Sequence, residues 1–282
     1  MAPVDGIGAP TYADVAARPA RLSVPALKEM ARDGRRIAML TCYDASFAAR
    51  CDAAGVDALL VGDSLGMVIQ GHGSTLPVTL ADTLYHTRCV AAGSTRPVVI
   101  ADLPFGTFQA SAEGAYATSV AALQAGAHMV KVEGGAWLAP TIAYLVARGV
   151  PVCGHLGLLP QSVHALGGYR VQGKSGSAAE ALEADARALG AAGCALIVVE
   201  CVPRALTPRL QAAAGVPVIG IGAGPDCAGQ VLVIYDALGI TPAKPARFVR
   251  NFLSGATGIV EALGAYVAAV RDGSFPGPEH CF

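Results

Sequence analysis

The sequence predicts an α/β fold, a single-domain (β/α)8 barrel of the TIM-barrel kind with extra C-terminal helices. Three observations lead there. A unit of helix, glycine, short step and apolar strand recurs along the chain. With the opening strand and a last one, it makes eight strand candidates in 282 residues, nearly all separated by helical stretches. The strands also stop at acids: Leu59-Leu-Val-Gly leads to Asp63, Val98–Ala101 to Asp102, Met129–Val132 to Glu133 and Leu196–Val199 to Glu200. Parallel strands are covered on both faces and reach solvent only at their ends, so acids after successive strands collect on one rim. A doubly wound open sheet is the alternative. It would normally carry a Gly-rich dinucleotide fingerprint after its first strand, and Thr41-Cys42-Tyr43-Asp44 is not one.

Residues 1–22 are rich in Ala, Pro and Gly without a period and read as a flexible arm, leaving 23–282 as the catalytic barrel domain. Ile37–Cys42 is the first strand, followed by Tyr43, Asp44 and a helix over Ala45–Ala54. Gly55, Gly93, Gly126, Gly149, Gly193 and Gly215 each stand where a left-handed residue closes a helix, just ahead of an apolar strand. Thr79-x-x-Asp82 and Ser177-x-x-Glu180 fit capping boxes, and Thr207 stands as a cap before Pro208. Gln230–Ile234 is the eighth strand; about Pro245–Asp272 reads as one or two further helices, ahead of a Gly- and Pro-rich tail. The long loops Gly62–Leu80 and His155–Gly176 are of the kind that covers or builds a site.

Composition narrows the function. At 53% hydrophobic and 15% charged residues the chain can bury a large core, which excludes general disorder. Lysine plus arginine (20) nearly equals aspartate plus glutamate (21) with no basic run, so no nucleic-acid footprint is present. Without a membrane-length apolar run or a basic-then-apolar leader, a soluble cytoplasmic protein is expected. Eight scattered cysteines without Cys-x-x-Cys spacing read as reduced core residues.

Asp63 and Asp102 on adjacent strand ends, with Glu133 on the next, form an oxygen-rich patch suited to a hard cation. Magnesium takes only one or two protein carboxylates and leaves room for a chelating substrate; capping or Asx-turn roles are the bland alternative for either aspartate. Lys131 and Glu133 lie two apart on one strand and project to one face. A lysine in an apolar strand is either half of a structural ion pair or a clamp for a substrate carboxylate. Glu200 ends the most hydrophobic strand, where desolvation would tune it toward a general base; pairing with an arginine is its alternative. Cys153 lies within a strand and reads as buried, with His155 at the strand end lining the pocket. Gly220-Ile-Gly-Ala-Gly224 lacks a Lys-Ser/Thr partner and reads as a tight turn before a phosphate loop.

In order along the chain, the motifs Val61-Gly-Asp-Ser-Leu-Gly66, Gly71-His-Gly-Ser-Thr-Leu-Pro-Val-Thr79, Ala101-Asp-Leu-Pro-Phe105, Val130-Lys-Val-Glu-Gly-Gly135, Gly154-His-Leu-Gly157, Pro160-Gln-Ser-Val163, Gly167-Gly-Tyr-Arg-Val-Gln-Gly173, Glu200-Cys-Val-Pro203 and Gly220–Gly224 closely resemble the ketopantoate hydroxymethyltransferase family. The resemblance runs from about Arg36 to Glu279-His280. It implies a (β/α)8 barrel, a magnesium ion (Mg2+), and 5,10-methylenetetrahydrofolate as one-carbon donor to 3-methyl-2-oxobutanoate, giving ketopantoate in pantothenate biosynthesis. By motif, Asp63 and Asp102 correspond to the metal-binding aspartates and Glu133 to a further acid associated with the metal. Asp63, Ser64, Asp102 and Lys131 correspond to the residues that hold the 2-oxo acid, and Glu200 to the proton acceptor of a magnesium-stabilised enolate chemistry. A ring-built homo-oligomer, a decamer, is also implied. Two departures are visible: Gly73, where the family often has an acid, and Ala228, where an acid commonly precedes Gly229-Gln230; they bear on the loops after strands two and seven and on contacts to folate. The rival readings are a 2-oxo acid lyase or mutase on a related barrel and a non-catalytic oxo-acid sensor.

Overall fold

The eight strand candidates pair, in chain order, into one closed parallel barrel in a computed structural model that describes residues 20–242 and 244–282. The strands are β1 (Ile37–Thr41), β2 (Ala58–Val61), β3 (Val98–Asp102), β4 (Met129–Glu133), β5 (Val152–Gly157), β6 (Leu196–Glu200), β7 (Val218–Ile221) and β8 (Gly229–Leu232). Between them lie α1 (Val24–Arg32), ahead of β1, then α2 (Ala45–Ala53), α3 (Leu65–Val68), α4 (Leu80–Gly93), α5 (Ala112–Gln124), α6 (Ala139–Val146), α7 (Val163–Leu166), α8 (Gly176–Ala191) and α9 (Thr207–Ala214). After β8 come α10 (Ile234–Ala237) and α11 (Ile259–Asp272), the C-terminal helices. The arm over residues 1–22 falls almost wholly outside the described residues. At its described end Arg21 donates to the carbonyls of Pro97 and Ser94, and the Leu22 amide to Arg96.

Five of the six helix-ending glycines take the left-handed conformation: Gly55, Gly126, Gly149, Gly193 and Gly215 have φ between 64° and 106°. Gly93 does not, and corrects the expectation. It is the last residue of α4 itself, and a Cβ there would lie 2.2 Å from the Ala45 carbonyl oxygen at the start of α2. The glycine is required by two helices touching and not by a turn. The caps show the same mixture. Thr79 and Asp82 form the reciprocal capping box. Ser177, in contrast, lies inside α8, whose cap is Ser175 accepting from the Ala178 amide. Thr207 begins α9 and donates its hydroxyl to the Ala223 carbonyl, so it ties a helix to the β7 loop instead of capping. Ile234, expected in the eighth strand, already belongs to α10.

The β1–β8 seam, the pairing most distant in sequence, is held by more than its ladder. The Tyr266 hydroxyl of α11 sits 2.8 and 2.9 Å from the carbonyls of Met39 and Gln230, one on each strand. The Ile234 amide donates to Thr41 Oγ1 across the same seam. Tyr266, Phe252 and Phe275 pack edge to face behind it, with ring centroids 5.4 to 6.0 Å apart, so a buried aromatic cluster covers the junction. At the N-terminal ends of the strands the fully buried Asp57 accepts from the Ala38 amide and pairs with Arg96 and Arg271 at 2.7 and 3.2 Å. That acid is structural, and it lies at the barrel end away from the rim acids.

Gly93 makes opposing arguments separable. Helix propensity alone predicts that Gly93→Ala stabilises by about 1 kcal/mol, whereas pressing a methyl group into backbone costs about 1–3 kcal/mol. We expect a lowered midpoint in urea or thermal unfolding; a raised one would mean that α2 and α4 can separate without loss.

Candidate active site

Strand register assembles the site. Asp102 lies opposite Lys131 on β3 and β4, and Glu133 opposite His155 on β4 and β5. Glu200, at the end of β6, lies opposite Gly157. A Cβ at Gly157 would come 2.1 Å from the Glu200 carbonyl oxygen, so only glycine lets the end of β5 approach this strand so closely. Asp63 and Ser64 follow β2. Every one of the six residues expected at the site (Asp63, Ser64, Asp102, Lys131, Glu133 and Glu200) lines one cavity of about 160 Å³ at the C-terminal mouth, and His155 joins them. A larger cavity of about 460 Å³ lies at the opposite end of the barrel beside Lys28, Arg36 and Ala228, away from these acids. Ala228 lies, as expected, in the connection after β7, as its last residue before β8 and beside this cavity. Gly73 lies in the rim loop after β2, exposed and with open space around it.

Lys131 is the hub. Its ammonium lies 2.8 and 2.7 Å from the two oxygens of Asp102 and 3.1 Å from Glu133 Oε1, with all three residues buried. Burial alone would lower its pKa, but Asp102, Glu133 and Asp63 outweigh that and hold the amine well above its ordinary value. The two sequence readings of Lys131 therefore describe one side chain, an ion-paired lysine that also faces the cavity. Glu133 is buried too, yet Lys131 and His155 bring its carboxyl down to about 2. His155 Nδ1 is 3.1 Å from Glu133 Oε1, and Nε2 is 3.3 Å from Glu200 Oε2 without the alignment of a hydrogen bond. Burial and Lys131 lower the imidazole, but Glu133 and Glu200 prevail and raise it to about 9.

Among the described residues, Asp63 has no such cation in contact. Burial first, then Asp102 and Glu133, push its carboxyl well above the usual range. Carboxylate oxygens of Asp63, Asp102 and Glu133 all lie within 4.8 Å of one another. Three buried carboxylates crowd round one ammonium, a surplus of acids that a cation would relieve, and an all-oxygen donor set suits a hard one.

Sequence reasoning assigned no role to two residues that organise this set. Gln161, in the 3₁₀ turn Pro160–Ser162, donates its side-chain amide to Asp63 Oδ2 and the Leu103 carbonyl, both at 3.0 Å. Its backbone amide donates to Glu133 Oε2 at 3.0 Å. Tyr43 shares a 2.9 Å hydrogen bond with Ser64 Oγ. Both are uncharged, so neither carries the burial cost that makes an acid conspicuous in a sequence; the signal available was the position of Gln161 in a long glycine-rich loop and of Tyr43 just beyond β1. Cys153 is fully buried, with its thiol pushed up to about 12, which supports its reading as a core residue. All eight cysteines are free. Cys201, directly after Glu200, has φ +48°, a strained turn of the kind that clusters at working sites.

A family model described as Ketopantoate hydroxymethyltransferase matches residues 21–278. The chain belongs to the ketopantoate hydroxymethyltransferase family. A 3-methyl-2-oxobutanoate hydroxymethyltransferase from Thiobacillus denitrificans is 62% identical over 93% of this chain and 99% of its own. One from Burkholderia multivorans is 57% identical over 96% and 100%. The likeness thus extends over whole proteins, and the chain is an enzyme of the hydroxymethyltransferase class. Among solved structures, 2,3-dimethylmalate lyase, described as a PEP mutase/isocitrate lyase superfamily member, superposes with TM-score 0.57 at 18% identity over 79% of this chain and 84% of that one. Phosphonopyruvate hydrolase in complex with oxalate and Mg++ does so with TM-score 0.57 at 16% identity over 78% and 84%. These two share the barrel.

If the acid cluster holds a divalent cation, the Gln161 contacts predict that Gln161→Leu, which keeps bulk and removes the side-chain donor to Asp63, weakens its binding of added magnesium about ten- to a hundredfold. Calorimetric titration of the folded variant measures it, and unchanged affinity would make Gln161 a loop anchor only.

Proposed function

We propose that this enzyme transfers a hydroxymethyl group from 5,10-methylenetetrahydrofolate to 3-methyl-2-oxobutanoate, forming ketopantoate (2-dehydropantoate) for pantothenate biosynthesis. The observation that carries the reading is one cavity holding a cation-deficient acid cluster, a buried lysine and, beside them, a carboxylate backed by an imidazole. Asp63 and Asp102 would hold magnesium, with Glu133 alongside. Bound there, the ion would draw electron density from the 2-oxo group of a chelating substrate and make the C3 hydrogen acidic.

The chain's own groups supply the rest. Glu200 takes the C3 proton, and the C–H electron pair moves into the bond between C3 and C2, leaving an enolate oxygen. The His155 imidazole stands 3.3 Å from Glu200 Oε2, beside the carboxylate that acts as the base. The Lys131 ammonium supplies positive charge where the enolate develops, already oriented by Asp102 and Glu133 and shielded from water. Ser64, oriented by Tyr43, is placed to hydrogen-bond the oxo acid. The enolate C3 then bonds to the methylene carbon as one of its two bonds to folate nitrogen breaks. Water supplies the hydroxyl oxygen as the second breaks, and the proton held by Glu200 and one from water end on the two nitrogens of the departing tetrahydrofolate.

The same reading includes a ring-built decamer and a cytoplasmic location. Consistent with it, no described helix is long and apolar enough to cross a membrane.

Proton removal by Glu200 comes before folate enters, so the first half of the reaction can be watched alone. In heavy water with magnesium and without folate, the enzyme should exchange the C3 hydrogen of 3-methyl-2-oxobutanoate for deuterium, seen by NMR. Chelation should abolish exchange and magnesium restore it. Glu200→Gln should lower exchange and product formation together, by about a hundredfold or more, while the oxo acid still binds. Exchange at the parent rate by this variant would transfer the base role elsewhere.

A further inference from the structure

Half of the cavity lining is unlike the half that does chemistry. Around the acid cluster the walls are charged and buried. Elsewhere they are Met67, Tyr169, Val233 and Phe248, with a single additional carboxylate, Asp236. Met67 and Tyr169 are 39% and 49% exposed, so they stand at the mouth, and the Tyr169 hydroxyl reaches Met67 Sδ at 3.6 Å. Thioether and aromatic surface left open at a mouth suits a flat apolar ligand face. A five-carbon oxo acid has no such face, and its place is at the acid cluster at the other side of the cavity. The larger partner must therefore contact the rim.

Asp236, in α10, is held by one hydrogen bond, Thr241 Oγ1 donating to Oδ1 at 2.6 Å. Among the described residues Oδ2 accepts no hydrogen bond and no lysine, arginine or histidine pairs with the group. Partial burial raises its pKa more than Thr241 lowers it. The free oxygen of this half-buried, cavity-lining acid is open to a ligand, and neither the barrel's packing nor the acid cluster uses it. Two adjacent N–H donors on the edge of a planar ring would satisfy it, since a carboxylate can accept both at once.

We propose that Asp236 recognises the pterin of the folate donor, its carboxylate accepting from the ring N3–H and the 2-amino group while Tyr169, Phe248 and Met67 contact the ring faces. The assignment rests on the folate reading above and adds the site at which the donor is selected. It also places the donor in the β8 half of the cavity, next to the acid cluster that would hold the oxo acid.

Tetrahydrofolate, which lacks the methylene group and cannot react, is the probe, with binding measured on the full-length magnesium-loaded enzyme in the presence of 3-methyl-2-oxobutanoate. Asp236→Asn should bind it about ten- to a hundredfold more weakly, the loss expected for a hydrogen bond to a charged group. The folate-free deuterium exchange reports whether the oxo-acid half of that variant remains assembled. A ligand-side measurement needs no variant: the parent should bind the 2-desamino-2-methyl analogue of tetrahydrofolate more weakly by a similar factor. Equal affinity of the parent for the two ligands, or of Asp236→Asn and the parent for tetrahydrofolate, would overturn the assignment and leave the folate reading standing. Failure of the parent to bind tetrahydrofolate at all would remove both.

Discussion

A lysine ammonium with almost no access to water, bonded to Asp102 and Glu133, is the constraint on which the rest of the site depends. Isolated in a barrel interior it would be driven neutral, and the acids around it would be protonated. Together they can remain charged. The assembly is still negative overall, which is the condition for holding a divalent ion, and it is rigid because its members stand on strands. Preorganised charge of this kind needs no rearrangement when negative charge develops in a bound ligand.

The barrel separates two uses of the same chemistry. At the N-terminal ends of the strands Asp57 is fully neutralised by Arg96 and Arg271 and by a backbone amide, and it does nothing but join elements. At the C-terminal ends the Asp63 carboxylate, among the described residues, accepts only from the amide of Gln161. Burial is similar at the two positions; the supply of countercharge differs. A completed ion pair is a structural device, and a deficient one is a binding site.

Much of this was legible from sequence because strand ends and charges are local signals. The acids after four apolar runs located the rim, and eight runs in order implied closure. What escaped was determined by contacts between distant segments. Gly93 looks like five other helix-ending glycines but answers to the backbone of Ala45, and Thr207 looks like a cap but bonds to Ala223. Gln161 reaches Asp63 across 98 positions of chain, and nothing in its own neighbourhood announces that. Ala228 shows the same limit: sequence placed it correctly in the connection after β7, but not at which end of the barrel it falls, directly before β8.

The cross-strand pairing of Asp102 with Lys131 and of Glu133 with His155 also bears on how this barrel can diversify. Each residue is the neighbour's counterion, so any lone replacement that changes charge leaves a buried group unmatched. Routes to new chemistry on this scaffold therefore run through joint exchanges of partners, or through the rim loops, whose residues can be altered one at a time. Combinatorial libraries built on the barrel would sample function more densely if strand-end positions were varied as charge-conserving pairs and loop positions independently.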